Sequence, residues 1–165
     1  MKKIAVLALA PTLAVTLALG SPAEAATKSF KDKAGDAPAK FDLTRVKVKH
    51  TKKTLVITSA VRNLRKKDAH FYSYYVNMGD TRLFTGTSHR TKRGKVTETW
   101  YDSSYAQLSC SARTTWKIKK NTIRTVVPRS CVTTSGALHI RVSLGPGTAN
   151  GDVADLTKFV KVRQG

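Results

Sequence analysis

The sequence predicts an all-β fold: an antiparallel β-sandwich, immunoglobulin-like or jelly-roll-like, of seven to nine strands. Three observations predict it. Short runs of alternating apolar and polar residues recur along the chain, separated by turn signals. No stretch beyond residue 25 sustains a 3.6-residue apolar period, so long helices are not expected. The two cysteines, Cys110 and Cys131, fall opposite each other in the same hairpin register that aligns two apolar stripes.

That hairpin sets its own geometry. With Lys120-Asn121 as a two-residue turn, Ile118 faces Ile123, Trp116 faces Thr125, Thr114 faces Val127, and Cys110 faces Cys131. Lys117 and Arg124 then share the outer face, as period-2 alternation requires. Residues 41–49 alternate likewise, with Val46, Val48 and His50 inward and Arg45, Lys47 and Lys49 outward. A Lys52-Lys53 turn would bring back the strand 54–64 with Val48 opposite Ile57 and His50 opposite Leu55. Lys-Lys lacks the glycine or asparagine that primed turns prefer, which leaves a longer loop as the alternative.

Further strands follow in order. Residues 70–77 place His70, Tyr72, Tyr74 and Val76 on one face, and a Gly79-Asp80 turn leads to 82–87. Residues 95–101 alternate again. Pro128 cannot donate to a ladder, so its strand lies at an edge or ends there. Leu138, Ile140, Val142 and Leu144 share the inner face of 137–144, and 156–162 reads as the last strand.

The first 25 residues read as a signal peptide: Met1-Lys2-Lys3, an apolar run from Ile4 to Leu19, and Ala23-Glu24-Ala25 for cleavage. The apolar run, interrupted by Pro11, is short for a hydrocarbon core of about 30 Å, and no later stretch is apolar enough to span one. Residues 26–40 are polar and read as a flexible segment, and 41–165 as one sandwich domain. Export places the cysteines in an oxidising compartment, where they read as one disulfide. A chain with this processing is expected to be secreted, free or associated with the cell wall.

Several residues together resemble a group of small secreted proteins of actinobacteria. They are Gly35-Asp36, Phe41-Asp42-Leu43-Thr44, Cys110, Val127-Pro128-Arg129-Ser130-Cys131, Gly151-Asp152 and Phe159-Val160. The resemblance covers nearly the whole exported part. It implies export, the disulfide and a β-sandwich, and it implies no activity. The lysine and arginine content here exceeds what the group would suggest.

Charge is the strongest functional signal. The chain has 30 basic and 10 acidic side chains, a net charge of +20. Loss of Lys2, Lys3 and Glu24 with the leader leaves 28 and 9, a net charge of +19. A small domain is kept soluble by a charge of about 2 to 8, so this excess invites polyanions. The expected binding face consists of Arg45, Lys47, Lys49, Lys117 and Arg124, with Tyr72, Tyr74 and Tyr101 available to stack on sugars or bases. The expected partner is an anionic polymer (cell wall, nucleic acid) or an acidic protein surface, met by a monomer without a cofactor.

Catalysis has weaker support. Ser88-His89 suggests a hydrolase, yet there is no Gly-x-Ser-x-Gly elbow, and His50 sits on an apolar face. A hydrolase acting on envelope polymer is the alternative reading. A toxin or inhibitor presenting the loop 130–136 is a third. No metal is assigned. Asp36, Asp42, Asp152 and Asp155 are the calcium candidates, since hard cations take six to eight oxygens. Zinc is disfavoured because the cysteines pair with each other and no paired histidines occur.

Overall fold

The computed structural model describes residues 26–79, 82–132, 136–147 and 153–165. Along the described chain run β1 (Ala26–Lys31), β2 (Leu43–His50), β3 (Thr54–Val61), β4 (His70–Asn77), β5 (Leu83–Arg90), β6 (Val96–Tyr101), β7 (Arg113–Lys117), β8 (Thr122–Pro128), β9 (Leu138–Pro146), β10 (Asp155–Leu156) and β11 (Val160–Val162). They form two antiparallel sheets, ordered β1-β2-β3-β8-β7 and β10-β9-β4-β5-β6, with β11 also on β9. The predicted sandwich is present, with eleven strands rather than seven to nine. The surplus is short: the expected last strand is divided into β10 and β11, and the N-terminal segment adds β1.

Besides the passage from β6 to β7, the chain crosses between sheets from β3 to β4 and again from β8 to β9. These crossings run side by side, because β3 pairs with β8 and β4 pairs with β9. That order is the one found in variable-type immunoglobulin sandwiches, extended by one strand beside β2, and it resolves the choice against a jelly roll.

Alternation holds strand by strand. In β2, Val46, Val48 and His50 are buried while Arg45, Lys47 and Lys49 are exposed. The expected β2–β3 register is present, with Val48 opposite Ile57 and His50 opposite Leu55. The Lys52-Lys53 turn closes because Thr51 stands in for the missing glycine or asparagine. Its hydroxyl accepts the N–H groups of Lys53 and Thr54 at 3.2 and 2.9 Å.

Three expectations change. Residues 26–31, read as flexible, pair with β2 from Ala26–His50 to Lys31–Arg45. Their weak alternation, Phe30 in and Lys31 out, suffices once β2 offers an open edge. The stapled hairpin is shifted by two, with Trp116 opposite Ile123 and Thr114 opposite Thr125. Ile118–Lys120 winds one 3-10 turn and Asn121 closes it in the left-handed region (φ 50°, ψ 41°). This wider turn is anchored on β3: Val61 N–H donates to the Asn121 carbonyl (2.9 Å) and Leu64 N–H to Asn121 Oδ1 (3.0 Å). A slip of two keeps every side chain on its expected face.

Cys110 and Cys131 do bond, with Cα atoms 5.8 Å apart. They lie beyond the ladder: Cys131 ends the 3-10 turn Arg129–Cys131 and Cys110 precedes β7. The disulfide therefore clasps the two segments flanking the hairpin. It spans 21 residues, for which loop closure predicts a loss of about 3 kcal/mol in a Cys110→Ser, Cys131→Ser variant. Urea denaturation of the two proteins measures this; a loss below about 1 kcal/mol would mean that the flanking segments are already held by other contacts.

Tyr72 and Tyr74, offered above as stacking residues, are core, at 0% and 1% exposure. Buried hydroxyls and indoles need partners. Tyr72 Oη meets Ser59 Oγ at 2.9 Å, and Trp116 Nε1 donates to Ser88 Oγ at 3.1 Å, so each pair ties one sheet to the other. Trp100 Nε1 donates to Tyr74 Oη at 3.0 Å.

Candidate polyanion interface

Facing residues on paired strands point to the same side, so the registers lay out the outer face of the first sheet in rows. One row runs Thr27, Lys49, Val56, Val126, Arg113; the next Ser29, Lys47, Thr58, Arg124, Thr115; the third Lys31, Arg45, Ala60, Thr122, Lys117. The three rows hold seven cations, Lys31, Arg45, Lys47, Lys49, Arg113, Lys117 and Arg124, and no carboxylate. All five sequence-predicted residues lie on this one face. The pairing of β3 with β8 brings them together, which neither hairpin could show alone.

Standard strand spacings make the face about 14 Å along the strands and about 19 Å across them. The β3 column is neutral (Val56, Thr58, Ala60), so the cations form two banks on either side of a strip that two strand spacings, about 10 Å, separate. The ion pairs among the described residues are Lys40–Asp68 and Arg62–Asp42, neither on this face. Repulsion within each bank is therefore relieved only by solvent ions.

The face turns over the β7 edge into a cleft of about 1060 Å³ between the open edges of β6 and β7. Arg113 and Lys117 belong to both surfaces, while Trp100 and Trp116 are half-buried in the cleft wall with Glu98 between the sheets. Glu98 is held there by the Thr114 backbone N–H. Lys66, Lys119 and Lys120 complete the cleft's basic lining. Sequence reasoning missed the cleft because β6 and β7 are joined by a loop and are not paired. It missed Lys31 because 26–40 was read as flexible; the alternation of Thr27, Ser29 and Lys31 against Lys28 and Phe30 was the available signal.

The second sheet's outer face differs. Thr85, Thr87 and Thr99 lie there with Phe71, Tyr75 and the sequence-predicted Tyr101. Lys161 is exposed on this face opposite His139, and Arg141 is stacked between Tyr75 and Phe159, 4.7 and 4.5 Å from the ring centres.

Ser88 is buried and takes the Trp116 indole N–H, while its neighbour His89 points to the opposite face of β5. Two further histidines are buried against partners. His50 accepts a hydrogen bond from Arg129 at 2.9 Å, and His70 Nε2 lies 3.2 Å from the Arg65 carbonyl. Burial holds both imidazoles below the usual histidine range, with Arg129 adding to the effect at His50. No histidine lines the cleft among the described residues.

Of the calcium candidates, Asp36, Asp42 and Asp155 come together, each with a carboxylate oxygen within 4.8 Å of the others. Asp152 and part of the loop 130–136 lie outside the described residues. Asp32, not among the calcium candidates read from the sequence, lies near Asp36, Asp42 and Asp155. Burial first, then the neighbouring carboxylates, pushes Asp155 up to about 6 and raises Asp32 as well.

Against family models, curated proteins and solved structures, the chain finds no match.

Proposed function

We propose that the exported chain is a non-catalytic binding domain that associates through the outer face of its first sheet with anionic polymers of the cell envelope or the extracellular space. The observation that carries this reading is the lattice of seven cations without a carboxylate. A solvated sheet face normally mixes both signs, because like charges on neighbouring strands repel. Here the repulsion is retained, and a bound polyanion would replace it with attraction while releasing the polymer's counter-ions. The cleft beside the face adds half-buried indoles, which suit a polymer carrying rings between its charges.

Export is supported by the leader-like first 25 residues and by the disulfide. Among the described residues no helix is long and apolar enough to cross a membrane.

Two measurements test the reading. The mature protein is incubated with envelope fractions at low and moderate salt, and capture should fall steeply with salt. Binding to a labelled single-stranded oligonucleotide is then followed from 50 to 300 mM NaCl. Engagement of the seven cations predicts a slope of log affinity against log salt of about −5. A slope shallower than about −1.5 would mean that only one or two charges make contact, and the lattice would not be the binding surface.

A further inference from the structure

Acidic side chains are scarce in this chain, 10 against 30 basic ones, yet four of them gather in one place. Asp32 and Asp36 come from the β1–β2 connection, Asp42 stands at the entry to β2, and Asp155 begins β10. Asp42 is 0% exposed and Asp155 6%. Buried carboxylates are normally paired with cations or fully hydrogen-bonded. These are neither. Asp42 Oδ2 takes the Gly35 N–H at 2.8 Å and lies 3.5 Å from Arg62, whose own side chain is 59% exposed. Asp42 Oδ1 is buried with no partner, and so is Asp32 Oδ2. Asp155 Oδ2 takes the Leu43 N–H at 2.6 Å. In a chain with cations to spare, Arg62 alone approaches the group as an ion-pair partner.

We propose that Asp36, Asp42 and Asp155 bind one calcium ion. Two oxygens each about 2.4 Å from a common ion are at most about 4.8 Å apart. The three carboxylates meet that limit pairwise, so they stand close enough to converge on one ion with small side-chain adjustments. The donors are all oxygen, with no histidine or cysteine among them, which selects a hard cation. Carboxylates drawn from three separate segments give the irregular, many-oxygen shell that calcium accepts, whereas magnesium demands a near-ideal octahedron. Asp42 Oδ1 supplies an acceptor that finds no partner among the described residues. Net positive charge elsewhere does not oppose binding, because charges beyond a Debye length of about 8 Å are largely screened at physiological salt.

The ion would join the β1–β2 connection, the start of β2 and the C-terminal β10. These segments already meet through the Leu43–Asp155 hydrogen bond, which links residues 112 positions apart. Calcium would thus act as a clasp between the two sheets, at a site separate from the cationic face, and its test does not depend on polymer binding.

The mature protein, stripped with a chelator and exchanged into buffer of fixed ionic strength, is titrated with calcium chloride by calorimetry and followed by thermal melting. One ion per chain is expected, with a dissociation constant below about 1 mM, the range of extracellular calcium modules. The melting temperature should rise by several degrees at saturating calcium and hardly at all with equal magnesium. Asp36→Asn, at an exposed position, should keep the fold and weaken binding at least tenfold; Asp42→Asn should abolish it. Asp102→Asn, whose carboxylate is bonded within its own turn, should bind as the parent does. No heat and no melting shift up to 10 mM calcium, equal binding of magnesium, or unchanged affinity in Asp36→Asn would each overturn the proposal.

Discussion

Exchanging Arg45, Lys47 and Arg124 for glutamine is expected to weaken oligonucleotide binding about a hundredfold at 0.1 M salt and to flatten the salt slope by about 2. Each cation lost removes about 0.7 from the slope on a single strand, and the three positions span both banks of the lattice. Glutamine keeps most of the side-chain length, so packing along the sheet survives. Relief of like-charge repulsion should leave the melting temperature unchanged or slightly higher. Stability and binding thus move apart, which a merely structural role for these residues would not produce. The decisive control removes three exposed cations from elsewhere, Arg82, Lys158 and Lys161, again to glutamine. It changes net charge equally and should cost less than fivefold in affinity. Equal losses in the two triple variants would show that net charge alone drives binding, and the claim for the face would fall.

Gly86→Ala is expected to be the most damaging single methyl group in the fold. Gly86 lies opposite Tyr74 across the β4–β5 ladder, and Tyr74 turns its ring over the glycine. A Cβ there would meet Tyr74 Cζ at 2.1 Å and its hydroxyl oxygen at 2.2 Å. No rotation of a methyl group relieves such overlap, so the ring must leave its place and the Trp100 hydrogen bond goes with it. Displacing a buried aromatic costs about 3 to 5 kcal/mol, a large part of a small domain's stability. The cause can be isolated with a double-mutant cycle. In a Tyr74→Leu background, already destabilised, Gly86→Ala should cost less than about 1 kcal/mol further. If alanine costs the same in both backgrounds, the glycine is needed for its backbone and not for the ring above it.

Local alternation made much of this legible. Period-2 patterning placed Arg45, Lys47 and Lys49 outside and Val46, Val48 and His50 inside, and each is found there. The β2–β3 register followed from matching two apolar stripes; the two cysteines bond as expected, although the hairpin register that set them opposite each other is shifted by two. The same logic failed where a distant partner intervened. The hairpin turn widened because Asn121 is anchored by Val61 and Leu64, nearly sixty residues earlier in the chain. Tyr72 and Tyr74 look like stacking residues in isolation and are core: the facing sheet supplies Ser59 and Trp116 to bond and cover Tyr72, and Trp100 and Phe84 do the same for Tyr74. Residues 26–31 are too polar to declare a strand until the open edge of β2 satisfies their backbone.

By itself the sequence determined which side chains share a strand face, that two sulfurs would bond, and that an excess of positive charge would be carried outward. These are consequences of interactions between near neighbours, which a two-residue period encodes directly. Only the tertiary structure decided that two basic hairpins become one lattice, that a cleft opens beside it, and that Asp155 closes on Asp36 and Asp42. Those outcomes depend on which strands lie side by side after the chain has crossed three times between sheets. Strand adjacency of that kind is set by burial of the whole core, and no local pattern carries it.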